Sequence, residues 1–224
     1  MSDIFAFNSE TLQIIRTTLL MAFSSTTISS VLGIFAGLLL EKYKFPGKSI
    51  VLRICRTLMG TPPVVVGLVV YILLMRKGPL GFMGLLFTVP GMIFAQILII
   101  TPIITNMVYS YASRNAPRIR MFARTMGAKG FQTTSLLIRE MRGEIYFAII
   151  AGFGRAISEV GSAMIVGGNI QNKTRTMTTA ITLMYNRGNF SQAITLGIIL
   201  LAIAFFLQAL PDFFRRETLI EENF

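Results

Sequence analysis

Hydrophobic positions along this chain come in long blocks, not in alternation. Runs without Asp, Glu, Lys or Arg cover Thr17 to Leu40, Thr57 to Met75, Gly78 to Ser113, Val160 to Asn172 and Gly188 to Pro211. A helix needs about 20 apolar residues to cross a hydrocarbon core of ~30 Å, so blocks of this length predict transmembrane helices. The block from Gly78 to Ser113 is too long for one helix. Its first third holds Pro79, Gly81, Gly84 and Pro90, which predict a loop or re-entrant turn and a helix beginning near Val89. Five spans are expected, at about 17–40, 57–75, 89–111, 145–170 and 191–211, in an all-α integral membrane protein forming one domain over 1–224.

Composition agrees with the blocks. The chain is 53% hydrophobic and 14% charged, with a mean hydropathy of +0.66, far from the half-apolar, quarter-charged mix of soluble domains. Charge then orients the spans. Basic residues crowd into 41–56, 114–144 and the tail at Arg215 and Arg216, which are alternate connections and so share a side. Fourteen fall there and six on the other side, so the positive-inside rule predicts an outside N-terminus and an inside C-terminus. The first ten residues carry Asp3 and Glu10 and no basic residue, unlike the n-region of a signal peptide, so the first span is expected to be retained.

The net charge of +11 does not imply nucleic acid. Basic residues that sort by membrane side are explained by topology, and no basic stripe interleaved with aromatics accompanies them. Histidine is absent and Cys55 is the single cysteine, which excludes a Cys/His metal site and a disulfide within the chain. No metal or cofactor is expected, and no catalytic residue.

The fourth span carries the chain's intramembrane charges, Arg155 and Glu159, four residues apart. On a continuous helix Ala151, Gly152, Arg155, Ser158, Glu159, Ser162, Val166 and Asn169 would share a stripe roughly 100–120° wide, opposite Phe153, Ile157, Val160 and Met164. Each charge alone costs ~2.5–3.5 kcal/mol at mid-bilayer on insertion scales, so the stripe is expected to face protein or a watery path. The pair either fixes this helix against its neighbours or serves transport directly.

Two other spans hold features that bear on function. In the second, Thr61 precedes Pro62 and Pro63, which remove two backbone donors and push the preceding residue out of helical geometry. This break either lines a cavity or shapes packing. In the first, Gly33 and Gly37 form a GxxxG that admits a close helix neighbour, from this chain or from a second copy.

The loop 114–144 reads as two short amphipathic helices bent about Gly127, the first starting at Asn115 and Pro117. It suits either docking on another protein or lying on the inner leaflet.

Within it, Phe122-Ala-Arg-Thr-Met-Gly127-Ala-Lys-Gly-Phe131 resembles the EAA loop of ABC importer permeases. Ala123 and Gly127 match that pattern in register and Leu137 takes its aliphatic position; Met121 and Phe122 stand for its opening Glu-Ala, and Arg139-Glu140 for its Leu-Pro. Residues 60–81 and 153–181 resemble the second and fourth helices of molybdate and tungstate permeases. The Ser158-Glu159-Val160-Gly161 and Val166-Gly-Gly-Asn169-Ile stretches are closer to the tungstate members.

The resemblance implies a type I ABC importer in the cytoplasmic (inner) membrane of a prokaryote. Its parts would be two permease copies, two cytoplasmic ABC ATPases and an extracytoplasmic oxyanion-binding protein. The chain holds no G-x-x-x-x-G-K-[ST], so ATP would be bound by the partner subunit. ATPase coupling would fall to Phe122, Ala123, Met126, Gly127, Ala128 and Phe131. The oxyanion, tungstate with molybdate or sulfate as alternatives, would pass Thr61, Pro62, Pro63, Arg155, Ser158, Glu159, Ser162 and Asn169. Two other classes stay open: an ion channel, which needs no docking loop, and a membrane enzyme, for which Glu159 lacks a catalytic companion.

Overall fold

The computed structural model describes the backbone of residues 9–221 and the side chains of residues 9–209. Asp3 and the side chains of Arg215 and Arg216, used above to orient the chain, lie outside the described residues. Every regular element among the described residues is helical: α1 (Ser9–Lys42), α2 (Lys48–Gly60), α3 (Pro63–Leu74), α4 (Val89–Thr125), α5 (Gly130–Glu140), α6 (Arg142–Ile157), α7 (Gly161–Gly167), α8 (Met177–Asn186) and α9 (Phe190–Glu221), with a 3₁₀ turn at Gly81–Met83 before α4. Three helices, Ser9–Lys42, Val89–Thr125 and Phe190–Ala209, are individually long and apolar enough to cross a membrane. The pairs α2/α3 and α6/α7 pass the same test only as bent units, at 106° and 57°, which brings the total to as many as five.

The centre of the fold is the packing of α1 on α4. In α1 the buried positions Thr18, Ala22, Ser25, Ser29, Gly33 and Gly37 recur every three or four residues, giving a seam of small side chains. Small seams let helix backbones approach where apolar burial alone gives no preference between helix and lipid. A Cβ on Gly33 would stand 2.8 Å from the Ile104 side chain, and one on Gly37 2.9 Å from the Thr105 carbonyl oxygen. The neighbour of the GxxxG is thus α4 of the same chain. The hydroxyl of Thr18 donates to the carbonyl of Ile14 one turn back, so it enters the interior satisfied.

Thr88 caps α4, its hydroxyl accepting from the Gly91 amide at 3.3 Å. The helix then continues for 37 residues through Pro102 and Pro117. A separate helix starting at Asn115 and Pro117 is therefore not formed. Proline deletes one amide, but Ala112 and Ala116 are fully buried against Leu137 of α5 and Met141, and this packing holds the helix through the gap.

The reading of 145–170 as one helix is also corrected. The helix is interrupted at Ser158–Val160 and bends by 57°, so the stripe of a straight helix ends at Ile157. Beyond it, Ser162 and Asn169 point in directions that the periodicity does not give.

Candidate functional site

The two breaks in the membrane helices meet. At the first, Thr61 (ψ 133°) and Pro62 (ψ 129°) are both extended, as each precedes a proline. The Thr61 hydroxyl donates to the Thr57 carbonyl at 3.0 Å and so supplies the proton that a helical amide would have brought. At the second, α6 ends on Ile157 and α7 begins on Gly161. Val64, one residue past the prolines, touches Gly161, where a Cβ would come within 2.6 Å of its Cγ2. One turn further on, a Cβ on Gly67 would lie 2.7 Å from the Cα of Ser162. Glycine at 67 and 161 is what lets the two broken helices touch backbone to backbone.

Arg155 and Glu159 flank the second break. Their side chains approach to 3.5 Å between Nη2 and Oε2, with that of Glu159 only 2% exposed and that of Arg155 34% exposed. The same carboxylate accepts from the Ser162 amide at 2.9 Å through Oε1, capping α7. Glu159 is thereby fully engaged with protein, while Arg155 keeps one side open. Ser158 is exposed between them, its hydroxyl donating to the Arg155 carbonyl at 3.2 Å.

Thr61, Pro62, Pro63, Arg155, Ser158 and Glu159 lie along the two breaks that meet at this junction; Ser162 is packed inside it, and Asn169 lies away from it. Ser162 is wholly buried against Gly67 and its hydroxyl has no hydrogen-bond partner, so it packs the junction without facing an opening. Asn169 sits at the far end of α7 in a left-handed turn (φ 49°). There it accepts from Arg175 Nε at 3.3 Å, and Arg175 in turn reaches Glu10 of α1 at 2.8 Å.

Two residues that periodicity did not single out also serve the junction. Gln96 of α4 donates through Nε2 to the Ala156 carbonyl at 2.9 Å, and Thr178 of α8 donates to the Glu159 carbonyl at 2.8 Å. A side-chain amide within the apolar stretch 89–111, which it shares with Asn106, was the available signal for Gln96. Thr178, one of several threonines in its segment, carried none.

At the other end of α4 the chain forms a hydrophobic tip. The Ala128 amide donates to the Ala123 carbonyl and that of Gly127 to Arg124, with Gly127 left-handed at φ 68°. This double closure is the Schellman stop, and it requires a residue that tolerates positive φ. The Lys129 amide then donates to the Gln132 side chain at 2.8 Å as α5 starts. Met121, Phe122, Met126 and Phe131 stand 67%, 59%, 72% and 87% exposed around the turn, a cluster without cover in the single chain. Ala123, by contrast, is 1% exposed and points inward, and Ala128 is half-buried, so Ala123 shapes the turn and is not itself a contact surface.

Residues 29–219 match the family described as "Binding-protein-dependent transport system inner membrane component". The chain is 42% identical over 185 residues to a tungstate uptake system permease protein of Peptoclostridium acidaminophilum, covering 83% of this chain and 79% of that protein. It is 41% identical over 200 residues to a probable anion ABC transporter permease protein of Haloferax volcanii, covering 87% and 86%. A tungstate uptake system permease protein of Campylobacter jejuni is 32% identical over 213 residues, covering 95% and 89%. Sulfate transport system permease proteins also match, at lower identity. The chain belongs to the binding-protein-dependent transport system inner membrane components, the membrane-spanning permeases of ABC importers.

Proposed function

We propose that the chain imports a tetrahedral oxyanion, tungstate before molybdate or sulfate, as one of two permease copies driven by two ATPases and fed by an extracytoplasmic binding protein. Its N-terminus would lie outside the cell and its C-terminus inside. The observation that carries this reading is the junction of the two breaks, where a half-exposed arginine is muted by a buried carboxylate. A dianion entering such a place meets a positive charge weakened by its partner, and weak attraction favours release over trapping. The hydroxyls of Thr61 and Ser158 hold their single protons against helix carbonyls and can turn them toward a passing anion. The substrate assignment is supported by the tungstate uptake permeases among the relatives, which are more similar in sequence than the sulfate ones.

Vesicles containing the chain with its ATPase, and the binding protein outside, test the proposal directly. Radiolabelled tungstate should accumulate only when ATP is enclosed, and excess unlabelled tungstate should compete better than molybdate or sulfate. Flux through the chain alone, without ATPase or nucleotide, would instead mark a channel.

The tip at residues 121–131 is the surface on which the ATPase would dock. Its exposed Met and Phe side chains have the composition of an interface core. Phe131→Asp should weaken ATPase binding by about 2 kcal/mol, a ~30-fold change in Kd, because exposed aromatics at a docked centre carry much of the affinity. The fold should be unaffected, since the side chain touches little of its own chain. Co-purification of the ATPase with variant and unaltered permease measures both effects.

A further inference from the structure

The bend between α6 and α7 is held by side chains that replace the missing helical hydrogen bonds. In an uninterrupted helix the Ala156 carbonyl would accept from the amide of Val160, and the Glu159 carbonyl from that of Ala163. Here Gln96 Nε2 donates to the first at 2.9 Å, well inside the 3.5 Å contact that the Glu159 amide makes with the same carbonyl, and Thr178 Oγ1 donates to the second at 2.8 Å. The Glu159 carboxylate takes the Ser162 amide. Donors from two other helices thus support a bend that the local sequence does not impose.

Gln96 is 1% exposed, and both ends of its amide are used. Because a carbonyl can only accept, the end facing Ala156 must be the NH₂, which leaves the amide oxygen to accept from the Ser25 hydroxyl at 2.6 Å. One side chain therefore ties α1, α4 and the end of α6 together at the level of the break. A buried amide is costly in hydrocarbon unless its partners are kept, so its position matters beyond packing.

We propose that Gln96 is a positioning residue for transport: by donating to the Ala156 carbonyl it stabilises the bent arrangement of α6 and α7. When it lets go, that carbonyl can take the amide of Val160 and the pair can straighten. Gln96 touches no anion; it acts through Ala156 on the angle at which Arg155 and Glu159 stand beside Val64 and Gly161. The inference rests on the reading of the junction as the oxyanion path, but the bend can be measured without any substrate.

The experiment uses the full complex, with Cys55→Ser as background and spin labels at Phe147→Cys on α6 and Ile170→Cys beyond α7, both exposed positions. Pulsed electron resonance reads the distance between them with and without nucleotide, in the absence of oxyanion. Gln96→Leu, which keeps the volume and removes the donor, should move the population to longer, straightened distances in the nucleotide-free complex and lower uptake per ATP about tenfold. Ser25→Ala, which leaves the Ala156 contact in place, should keep the unaltered distances. If Gln96→Leu does not assemble, Thr178→Val removes the second donor and should shift the distances in the same direction. Unchanged distances in whichever variant assembles overturn the inference, even if uptake falls. Shifted distances together with failed tungstate uptake by the unaltered complex would sustain the bend and discard the substrate reading.

Discussion

Replacing Glu159 with alanine should cut the amount of assembled permease in membranes several-fold and bring uptake close to background. The carboxylate has two obligations, the charge of Arg155 and the Ser162 amide in the first turn of α7. Losing the cap costs about 1 kcal/mol, and leaving the amide unpaired in a dry site costs about 1–3 kcal/mol. A loss of that size changes the abundance of a marginally stable protein several-fold. Glu159→Gln separates the two obligations. Its carbonyl oxygen still accepts from Ser162, so assembly should be close to normal, but Arg155 now presents an unopposed positive charge. The anion should then bind more tightly and leave more slowly, giving a lower KM and a maximal uptake rate reduced about tenfold, which corresponds to ~1.4 kcal/mol of added ground-state binding. Membrane levels by immunoblot and uptake against tungstate concentration provide the check. Equal KM values for Gln and Glu would remove the pair from anion handling and leave it a purely structural contact.

The second large effect is expected at Gly67. A side chain there meets the backbone of Ser162, at 2.7 Å from its Cα, and not the yielding end of a flexible residue. Gly67→Leu must push α3 and α7 apart, and overpacking of this kind costs about 1–3 kcal/mol. The loss should fall mainly on transport, because α3 and α7 form the contact between the two breaks, while the α1–α4 packing at Gly33 and Gly37 lies elsewhere. Uptake should drop at least about tenfold, with the protein still present in the membrane at roughly half its usual level or more. Gly67→Ala should be intermediate, since its single methyl meets the same backbone atom. Full activity in the leucine variant would show that the breaks need not touch during the cycle.

The features legible in the sequence were those with a local cause. Pro62 and Pro63 announce a break by their own stereochemistry, and the chain turns through 106° there. Gly127 occupies the left-handed stop between α4 and α5, a place where the spacing of apolar residues already indicated a bend. Pro79, Gly81, Gly84 and Pro90 confine the start of α4 to near Val89, where the helix begins. What escaped was non-local. Nothing in Ser158-Glu159-Val160 forbids a helix, and the bend there depends on donors from α4 and α8 that sequence periodicity does not bring near. The single stripe that joined Ser162 and Asn169 to Arg155, facing protein or a watery path, escaped for the same reason, since the periodicity of a straight helix does not survive a 57° bend. Pro117 misled in the opposite direction: it reads as the start of a separate helix, yet the burial of Ala112 and Ala116 carries α4 through it.

The length of α4 has a mechanical meaning. From Gln96 to Thr125 the helix runs without a loop for about 45 Å, with Pro102 and Pro117 as the only joints along it. A stroke delivered at Met126 would reach the amide as the tilt or twist of a single shaft, so the intramembrane elbow would move in step with the motor below and not after a relay of independent rearrangements.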